Sequence, residues 1–241
     1  MCELSSASNE PAFPPVELSV VIPALDEREN LERLIPELRV VLDRLTHSWE
    51  IVVVDGGSTD GTPQAALQLG ARVVSQKDPG YGGAIVTGFR EARGSYIVTM
   101  DADLSHPPVY IEELWRRRAA DLILASRFVP GGGAQMSGYR LALSRILNVV
   151  FPKLLRIPVY DMSTGFRLYR RAMLEGLNPK ARDFDIAQEV VALIHRRGGR
   201  ILEIPFRYMP RGSGSSHARV LRFGWSYLKT LCRLTVPRYF R

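Results

Sequence analysis

The sequence predicts an α/β fold in which a mainly parallel central sheet is flanked by helices. Short apolar segments alternate with longer segments whose apolar residues recur every three or four positions. Strands that alternate with helices are joined by right-handed crossovers and pair in parallel. Acidic residues also follow three of the apolar segments closely. Because ligands of such sheets bind beyond the carboxyl ends of the strands, these acids mark the edge at which we expect the function to lie.

The first half of the chain carries the clearest alternation. Pro23 closes the first apolar segment, and Pro107 with Pro108 precedes a helical pattern, where proline suits the first turn. The glycines at 80, 82 and 83 predict either a tight turn that begins a helix or a loop whose N–H groups face an anion. The predicted strands are 18–22, 50–54, 72–75, 96–100 and 121–126, and the predicted helices are 29–45, 62–69, 82–92 and 109–118.

The second half of the chain is less regular. Three consecutive glycines at 131–133 predict a flexible joint, and the Gly/Ser run at 212–216 predicts a linker. Helices are predicted at 139–155, 185–196 and 217–236, and a strand at 200–208. The resulting organisation is a disordered N-terminus at 1–15, one α/β domain at 16–211 and a basic amphipathic, membrane-associating tail at 212–241.

The composition is that of a globular protein in a reducing environment. With 46% hydrophobic and 24% charged residues, the chain can bury a sizeable core. Cys2 and Cys232 lie near opposite ends and form neither a disulfide framework nor a metal-binding spacing. No run approaches the ~20 apolar residues that span a bilayer, and residues 1–15 do not resemble a signal peptide. We therefore expect a soluble or peripheral protein.

Positive charge is concentrated at the C-terminal end. The chain carries a formal net charge of +7, and residues 196–241 contain eleven lysines and arginines but one acid, Glu203. On a helix at 217–236, basic residues fall opposite an apolar arc that contains aromatics, which is typical of a helix lying on an anionic membrane surface. The alternative is a helix whose apolar face packs on the domain. No motif reads bases, so no nucleic acid partner is expected. The apolar arc comprises Val220, Leu221, Phe223, Trp225, Tyr227, Leu228, Leu231 and Leu234, and the basic arc Arg219, Arg222, Lys229 and Arg233.

Asp101 and Asp103 form the candidate metal site. They directly follow the uncharged strand at 96–100, and two residues apart in extended chain they face one spot, with the small Ala102 between them. Carboxylates at a strand end suit a hard cation such as Mg²⁺ or Mn²⁺. The alternative is a solvated turn with a helix cap. Neither the G-x-G-x-x-G dinucleotide motif after the first strand nor a P-loop is present.

Several stretches together resemble the GT-A fold of family 2 inverting glycosyltransferases. The later stretches are similar to the polyprenyl-phosphate, or dolichol-phosphate, mannose synthase group, and the resemblance covers roughly residues 18–211. The stretches are Pro23-Ala24-Leu25-Asp26-Glu27, residues 55–62, Asp101-Ala102-Asp103, Ser126-Arg127, residues 161–167 and Ile204-Pro205-Phe206.

The resemblance implies a role for each matching residue. In the family, residues at these positions bind the nucleotide, the catalytic metal, the diphosphate and the phosphate of the lipid acceptor. Ser105 stands where the family often has a glutamine metal ligand, so water would complete the coordination. The implied nucleotide set is Pro23, Leu25, Glu27, Asp55, Asp101, Ala102 and Asp103; the metal set is Asp101, Asp103 and Ser105; the acceptor-phosphate set is Arg127, Arg140 and Ser144; and the catalytic residues are Asp103 and Arg127.

The implied activity is metal-dependent, inverting transfer of a hexose to polyprenyl or dolichyl phosphate by a peripheral protein at the cytoplasmic face of a membrane. Mannose from GDP-mannose is the expected donor. Alternatives are UDP-glucose or a UDP-N-acetylhexosamine with the same acceptor, or a non-catalytic nucleotide-sugar-binding subunit. The resemblance also admits a membrane-anchoring partner subunit. A lipid phosphate is already an anion and needs no general base; Glu189 and Asp185 are candidates for one if the acceptor is an alcohol.

Overall fold

The computed structural model describes residues 15–135, 138–210 and 220–235. A seven-stranded sheet forms the centre, with helices on both of its faces. The elements in chain order are β1 (Leu18–Ala24), α1 (Arg28–Leu45), β2 (Trp49–Asp55), α2 (Thr62–Gln68), β3 (Arg72–Ser75), α3 (Gly80–Glu91), β4 (Tyr96–Thr99), α4 (Tyr110–Arg116), β5 (Leu122–Ser126), β6 (Gly133–Ala134), α5 (Gly138–Leu155), β7 (Arg167–Arg170), a 3₁₀ turn (Arg171–Met173), α6 (Ile186–Arg196), β8 (Ile201–Pro205), β9 (Arg207–Tyr208) and α7 (Val220–Thr235).

Strand order explains where the site lies. The sheet runs β3-β2-β1-β4-β7-β5-β8, so the chain moves outward from β1 to β3 and then crosses back to β4 on the other side of β1. β1 is parallel to both β2 and β4, and Ala24 at its end pairs with Asp55. The gap between β1 and β4 is therefore a topological switch point, where open α/β sheets bind their ligands.

The strands are apolar on both faces because both faces are covered. Neighbouring side chains on a strand point to opposite sides, and Val20 and Val21 are each fully buried, in two separate clusters. Helices α1, α2 and α4 cover one side, and α3, α5, α6 and α7 cover the other. The apolar segments of the sequence are thus strands of a sheet that is covered on both faces.

The second half contains two features that the sequence pattern did not predict, an antiparallel strand and a buried arginine at its start. β7 is antiparallel to both β4 and β5 and lies between them. Its first residue, Arg167, is fully buried, because its guanidinium donates to the carbonyls of Met162, Thr164 and Ala187 at 2.7 Å each. A strand that begins and ends in arginine is not recognisable as buried from its composition.

The glycines at 131–133 do not form the predicted flexible joint. Gly133 begins β6, which pairs in parallel with β9, and its N–H donates to the carbonyl of Phe206 at 2.9 Å. A Cβ at Gly132 would lie 2.6 Å from the carbonyl oxygen of Ser126, so this close backbone approach requires glycine. The strand predicted at 200–208 is accordingly divided into β8 and β9.

The glycine-rich segment at residues 80–83 is the start of α3. The N–H of Gly82 donates to the carbonyl of Arg182 at 2.8 Å. A Cβ at Gly80 or Gly83 would lie 2.2 or 2.0 Å from a backbone carbonyl oxygen, that of Arg182 or Asp78. Gly80 and Gly82 therefore permit close packing of the first turn on residues 181–182, and Gly83 permits its close approach to Asp78. The alternative of a tight turn that begins a helix describes the segment.

Helix α7 packs on the domain by one face. Its Thr230 hydroxyl donates to Asp185 at 2.6 Å, and Arg233 lies 3.2 Å from Glu189 in an ion pair. The placement of Arg233 on an outward basic arc is therefore wrong, whereas Trp225 and Leu228 remain 71% and 51% exposed. Residues 212–219 and 236–241 of the predicted tail lie outside the described residues, as do residues 1–14 of the N-terminal segment 1–15 that was predicted to be disordered.

Within residues 15–135, 138–210 and 220–235, no helix has both the length and the apolar character that crossing a bilayer requires.

Candidate active site

The carboxyl ends of β1 and β2 are held together by a network of short turns. Asp55 closes its own turn by accepting the N–H groups of Gly57 and Ser58 at 3.0 and 3.2 Å. Asp26 in turn accepts the N–H of Thr59 at 2.8 Å. Because Asp26 bonds the loop that Asp55 closes, the two loops together form one wall beside the switch point.

The predicted nucleotide-pocket residues line this wall. Pro23 lies in β1 opposite Val54, and Leu25 follows it with 41% of its surface exposed. Glu27 stands at the N-terminus of α1, where its N–H donates to the hydroxyl of Thr62 at 2.9 Å and its carboxylate accepts the side-chain amide of Asn30. The exposed apolar surface of Leu25 beside polar turns suits a nucleoside.

Asp101 is fixed by two neighbours that the sequence-based prediction did not include. The Tyr81 hydroxyl donates to Oδ1 of Asp101 at 2.9 Å. The N–H of Asp101 donates to Nδ1 of His106 at 2.9 Å, while Nε2 of His106 lies 3.8 Å from Oδ2 of Asp101. The Asp101 side chain is 26% exposed. Its carboxylate thus meets solvent at the switch point while its orientation is set from within the protein.

The environment of Tyr81 favours its neutral, protonated form. Burial, together with the adjacent Asp101 carboxylate, raises the pKa of the Tyr81 phenol well above its usual value. The ring stacks on Phe184 with centroids 4.6 Å apart. The hydroxyl is therefore a permanent hydrogen-bond donor to Asp101.

Asp103 and Ser105 form a buried pair immediately after Asp101. Asp103 is 3% exposed, and its Oδ1 accepts both the N–H of Ser105, at 3.1 Å, and the Ser105 hydroxyl. Leu104 between them has a φ of +64°, a left-handed conformation that turns the chain back on itself. Ser105 is thus placed to orient Asp103, and its role as a metal ligand stays a prediction.

The donor set fits a divalent cation that is shared with a diphosphate. Among the described residues, no three His, Cys, Asp or Glu side chains gather into a closed metal site. Mg²⁺ sites commonly use only one or two carboxylates and complete their coordination with water and substrate phosphates. Asp101 and Asp103 are the two carboxylates at the switch point that could hold such an ion.

Arg127, at the carboxyl end of β5, is held by a fully buried partner. Its Nε and Nη2 lie 2.7 and 2.8 Å from the two carboxylate oxygens of Asp161, and its backbone N–H donates to the same group at 3.0 Å. The Arg127 side chain is 9% exposed and that of Asp161 is not exposed. Burial alone would raise the pKa of Asp161, but the hydrogen bonds and charge of Arg127 hold that pKa below its usual value.

A polar network joins this ion pair to α5. Ser163 accepts from Arg127 Nη2 at 2.6 Å and from the Asn148 side chain at 2.7 Å, and its hydroxyl lies 3.3 Å from that of Ser144. Two of the residues predicted to bind the acceptor phosphate, Arg127 and Ser144, therefore share Ser163 as a neighbour. The side chain of the third, Arg140, lies outside the described part of the chain.

Residues 161–165 connect the two halves of the site. Ser163 contacts the Arg127 side, while a Cβ at Gly165 would lie 2.8 Å from the Tyr81 hydroxyl and 3.5 Å from Oδ1 of Asp101. The carbonyl of Gly165 accepts the Thr99 hydroxyl at 2.7 Å. The loop thus runs from the arginine at the end of β5 to the carboxylates after β4, because the antiparallel β7 begins at this edge.

Glu189 and Asp185, the candidates for a general base, hold other parts of the structure together. Glu189 accepts the N–H groups of Lys180 and Ala181 at 2.8 and 2.6 Å and pairs with Arg233. Burial raises the pKa of Glu189. Asp185 accepts the Thr230 hydroxyl. Both side chains are 3% exposed and bind α7 to α6, so neither faces the solvent side of the site.

Comparison with known proteins identifies the family. The family model described as glycosyl transferase family 2 matches residues 19–177. The chain belongs to glycosyltransferase family 2. This match confirms the family-level resemblance inferred from the motifs.

Relatives of this family 2 glycosyltransferase domain include enzymes that are named for a lipid phosphate. The chain is 33% identical to a dolichol-phosphate mannosyltransferase of Pyrococcus furiosus over 91% of this chain and 64% of that protein. It is 34% identical to a polyprenol monophosphomannose synthase of Mycolicibacterium smegmatis over 82% of this chain and 79% of that protein. An undecaprenyl-phosphate 4-deoxy-4-formamido-L-arabinose transferase of Pseudomonas fluorescens is 31% identical, over 66% of this chain and 48% of that protein. The chain thus spans less than two thirds of the length of two of these relatives.

Solved structures share the family 2 architecture. Glucosyl-3-phosphoglycerate synthase from Mycobacterium tuberculosis, in complex with Mn²⁺, UDP and glucosyl-3-phosphoglycerate, has a TM-score of 0.69 and 22% identity over 95% of this chain and 86% of that one. Its complex with Mg²⁺ and UDP gives a TM-score of 0.69, with 22% identity over 91% of this chain and 79% of that one. At this level of identity the likeness shows the fold, and the predicted α/β GT-A fold is confirmed.

Proposed function

We propose that the protein is a metal-dependent inverting glycosyltransferase that moves a hexose from a nucleotide sugar to a polyprenyl phosphate. It acts as a peripheral protein at the cytoplasmic face of a membrane. The observation that carries the proposal is the loop at 161–165, which contacts Arg127 and Ser144 on one side and the Tyr81–Asp101 pair on the other. Groups suited to a donor diphosphate and groups suited to an acceptor phosphate are therefore adjacent.

On the donor side, Asp101 and Asp103 would hold a Mg²⁺ or Mn²⁺ ion. When bound, such an ion stabilises the negative charge that builds on the leaving diphosphate. The protein's part is to keep both carboxylates oriented: Ser105 donates to Asp103, and Tyr81 donates to Asp101. Leu25 and Asp55, on the wall beside β1, would receive the nucleoside.

On the acceptor side, Arg127 and Ser144 would bind the lipid phosphate. A phosphate monoester is already an anion near neutral pH, so the site needs to position and neutralise it rather than remove a proton. Arg127 remains charged because its ion pair with Asp161 outweighs the effect of burial and raises its pKa. The engagement of Glu189 and Asp185 in packing α7 agrees with an acceptor that needs no base.

Mannose from GDP-mannose is the donor that we favour, because two relatives are named for mannose transfer to dolichol phosphate or polyprenol phosphate. The arabinose-derivative transferase among the relatives is named for a different sugar and a similar lipid phosphate. The sugar thus varies among the relatives, and UDP-glucose or a UDP-N-acetylhexosamine is kept as the second candidate.

The donor is tested by a thermal-shift screen with GDP-, UDP- and dTDP-sugars in the presence of Mg²⁺ or Mn²⁺, since a ligand at 100 times its Kd stabilises by about 2.7 kcal/mol. The sugar that stabilises is then used radiolabelled, with dolichyl phosphate and undecaprenyl phosphate as acceptors. We expect label in the lipid phase. Stabilisation without turnover on either acceptor would instead support the non-catalytic, nucleotide-sugar-binding alternative.

Membrane contact is proposed for α5 and α7. Ile146 and Val149 on α5 are 58% and 63% exposed, and Trp225 and Leu228 on α7 are 71% and 51% exposed. The two helices pack together through Phe151 and Tyr227, whose rings lie 6.1 Å apart. Exposed basic residues on both helices, Arg145, Lys153 and Lys229, each add about 1 kcal/mol next to an anionic leaflet.

Replacing Trp225 and Leu228 by serine is expected to weaken binding to vesicles. Burying each side chain in lipid contributes about 1.5–3 kcal/mol, so partitioning should fall by about tenfold or more per residue. The measurement is co-sedimentation with phosphatidylglycerol-containing and with pure phosphatidylcholine vesicles. Leu67→Ser is the matched control, because Leu67 is 59% exposed on α2, on the opposite face of the sheet. Unchanged sedimentation of the double variant would contradict the proposed contact between α7 and the membrane.

A further inference from the structure

The Tyr81 hydroxyl has a place in the site that neither the sequence motifs nor the family match assigns. It lies 2.9 Å from Oδ1 of Asp101, and that carboxylate oxygen is therefore already engaged from the protein side. The other oxygen, Oδ2, lies 3.8 Å from Nε2 of His106, which is beyond hydrogen-bond distance. One oxygen of Asp101 is thus tied down while the second keeps its lone pairs for a cation.

Several residues around Tyr81 are required for its position. Gly80 and Gly82 let the first turn of α3 lie against the backbone of residues 181–182, and Gly83 lets it lie against the backbone of Asp78, where a Cβ would collide in each case. Phe184, at the end of the same segment, stacks on the Tyr81 ring at 4.6 Å. The backbone and the ring stack therefore direct the hydroxyl to one point.

Gly165 completes this arrangement from the opposite side. A Cβ on Gly165 would lie 2.8 Å from the Tyr81 hydroxyl oxygen, closer than real Cβ atoms approach other groups. The Thr99 hydroxyl donates to the carbonyl of Gly165 at 2.7 Å and holds the glycine in place. A side chain at residue 165 would therefore displace the Tyr81 hydroxyl from its position beside Asp101.

The backbone of Asp101 is fixed independently. Its N–H donates to Nδ1 of His106 at 2.9 Å, and the His106 ring stacks on Phe166 with centroids 5.0 Å apart. The side chain of Asp101 is thus held by Tyr81, and its backbone is held by His106. A carboxylate restrained at both points presents its second oxygen without loss of rotational entropy when a cation arrives.

We propose that Tyr81 is a positioning residue that acts through Asp101: its hydroxyl, seated against Gly165, orients the carboxylate to bind the divalent cation that accompanies the donor diphosphate. This inference rests on the proposed function, because it requires Asp101 to be a metal ligand. The new element is Tyr81, a residue outside the acidic motif that orients Asp101 for binding the cation.

The test compares Tyr81→Phe with wild type in Mn²⁺ titrations followed by electron paramagnetic resonance, in the presence of GDP and, separately, UDP. The variant keeps the ring and its stack on Phe184 but lacks the donor. Loss of a group that orients a metal ligand commonly weakens metal affinity about 10-fold or more, and we expect that loss here. Tyr160→Phe is the control, because Tyr160 is 64% exposed.

A second variant leaves Tyr81 and Asp101 chemically intact. Gly165→Ala adds a methyl group where the Tyr81 hydroxyl must sit, so Mn²⁺ affinity should fall to a similar extent. Gly133→Ala is its control, since nothing lies within 4 Å of a Cβ at that glycine. Combining Tyr81→Phe with Gly165→Ala should add little to either change alone, because both remove the same hydrogen bond.

The outcomes separate the inference from the proposed function. If wild type binds Mn²⁺ with nucleotide and Tyr81→Phe binds it equally well, the positioning role is refuted and the proposed function stands. A variant with a lower Tm and an unchanged Mn²⁺ affinity refutes it equally, because such a residue would be purely structural. If wild type binds no Mn²⁺ with either nucleotide, the metal-dependent function itself fails and the inference fails with it.

Discussion

Replacing Asp103 by asparagine is expected to reduce sugar transfer to polyprenyl phosphate by about 100- to 1000-fold, a loss typical of removing one group that stabilises transition-state charge. The substitution removes the negative charge that would hold the cation. It retains an oxygen that can accept the N–H and hydroxyl of Ser105, which now bond to Oδ1. The variant should therefore fold and yet lose activity.

The measurement is transfer of radiolabelled sugar at saturating donor, with the Tm recorded for each protein. Glu37→Gln on the exposed side of α1 removes one negative charge far from the sheet edge and should retain full activity. Transfer by Asp103→Asn at more than about a tenth of the wild-type rate would contradict a metal-binding role for this carboxylate.

Replacing Asp161 by asparagine is expected to give the largest loss of stability. The carboxylate accepts Nε and Nη2 of Arg127 at 2.7 and 2.8 Å, and both side chains are almost fully buried. An asparagine would turn an amide donor towards the guanidinium donors and leave a buried charge without its counter-charge. Such a loss costs about 3–5 kcal/mol.

Urea unfolding of the variant, followed by circular dichroism, measures this loss. Glu32→Gln, which disrupts the exposed ion pair with Arg28 on α1, should change stability little. A loss for Asp161→Asn no greater than that of Glu32→Gln would show that the buried pair does not stabilise the protein.

The stability difference should also depend on pH with a definite sign. The Arg127 guanidinium lowers the pKa of Asp161 in the folded protein, so the carboxylate contributes stability above its unfolded-state pKa of about 3.9. That contribution disappears as the pH falls through the lower, folded pKa. The difference in the free energy of unfolding between wild type and Asp161→Asn should be constant from pH 5 to 7, by the same reasoning, and should decrease below about pH 4. A difference that increases at acidic pH would contradict the conclusion that it arises from the ion pair with Arg127.

Residues that are neighbours in sequence were predictable from local pattern. The apolar runs of β1, β2, β4 and β5 have the composition typical of a covered, parallel sheet, and Asp55 and Asp101 stand at the carboxyl ends of two of these runs. Because parallel strands end at one edge, the sequence alone was enough to predict that these acids share that edge. The family motifs added the proposed roles of Arg127 and Ser144.

The functions of Tyr81, His106 and Asp161 had only weak local signals. Tyr81 stands among glycines that indicated a turn, and Asp161 lies within a recognised motif without any sign that it pairs with Arg127, 34 residues earlier. β7 was missed because Arg167 is buried against three carbonyls rather than among apolar residues. In each case the partner comes from a different element, so no periodicity in the chain reveals it.

Local patterning was thus sufficient for the α/β class, the positions of the first five strands along the chain and the position of the acidic edge, since backbone geometry converts spacing directly into direction. Folding was needed to insert β7 between β4 and β5, to turn Arg233 of α7 inward onto Glu189, and to bring the Tyr81 hydroxyl to Asp101. The physical reason is that these contacts depend on how separate elements pack. A side chain's hydrogen-bond partner is chosen by that packing and by burial, and neither is encoded in the residues next to it.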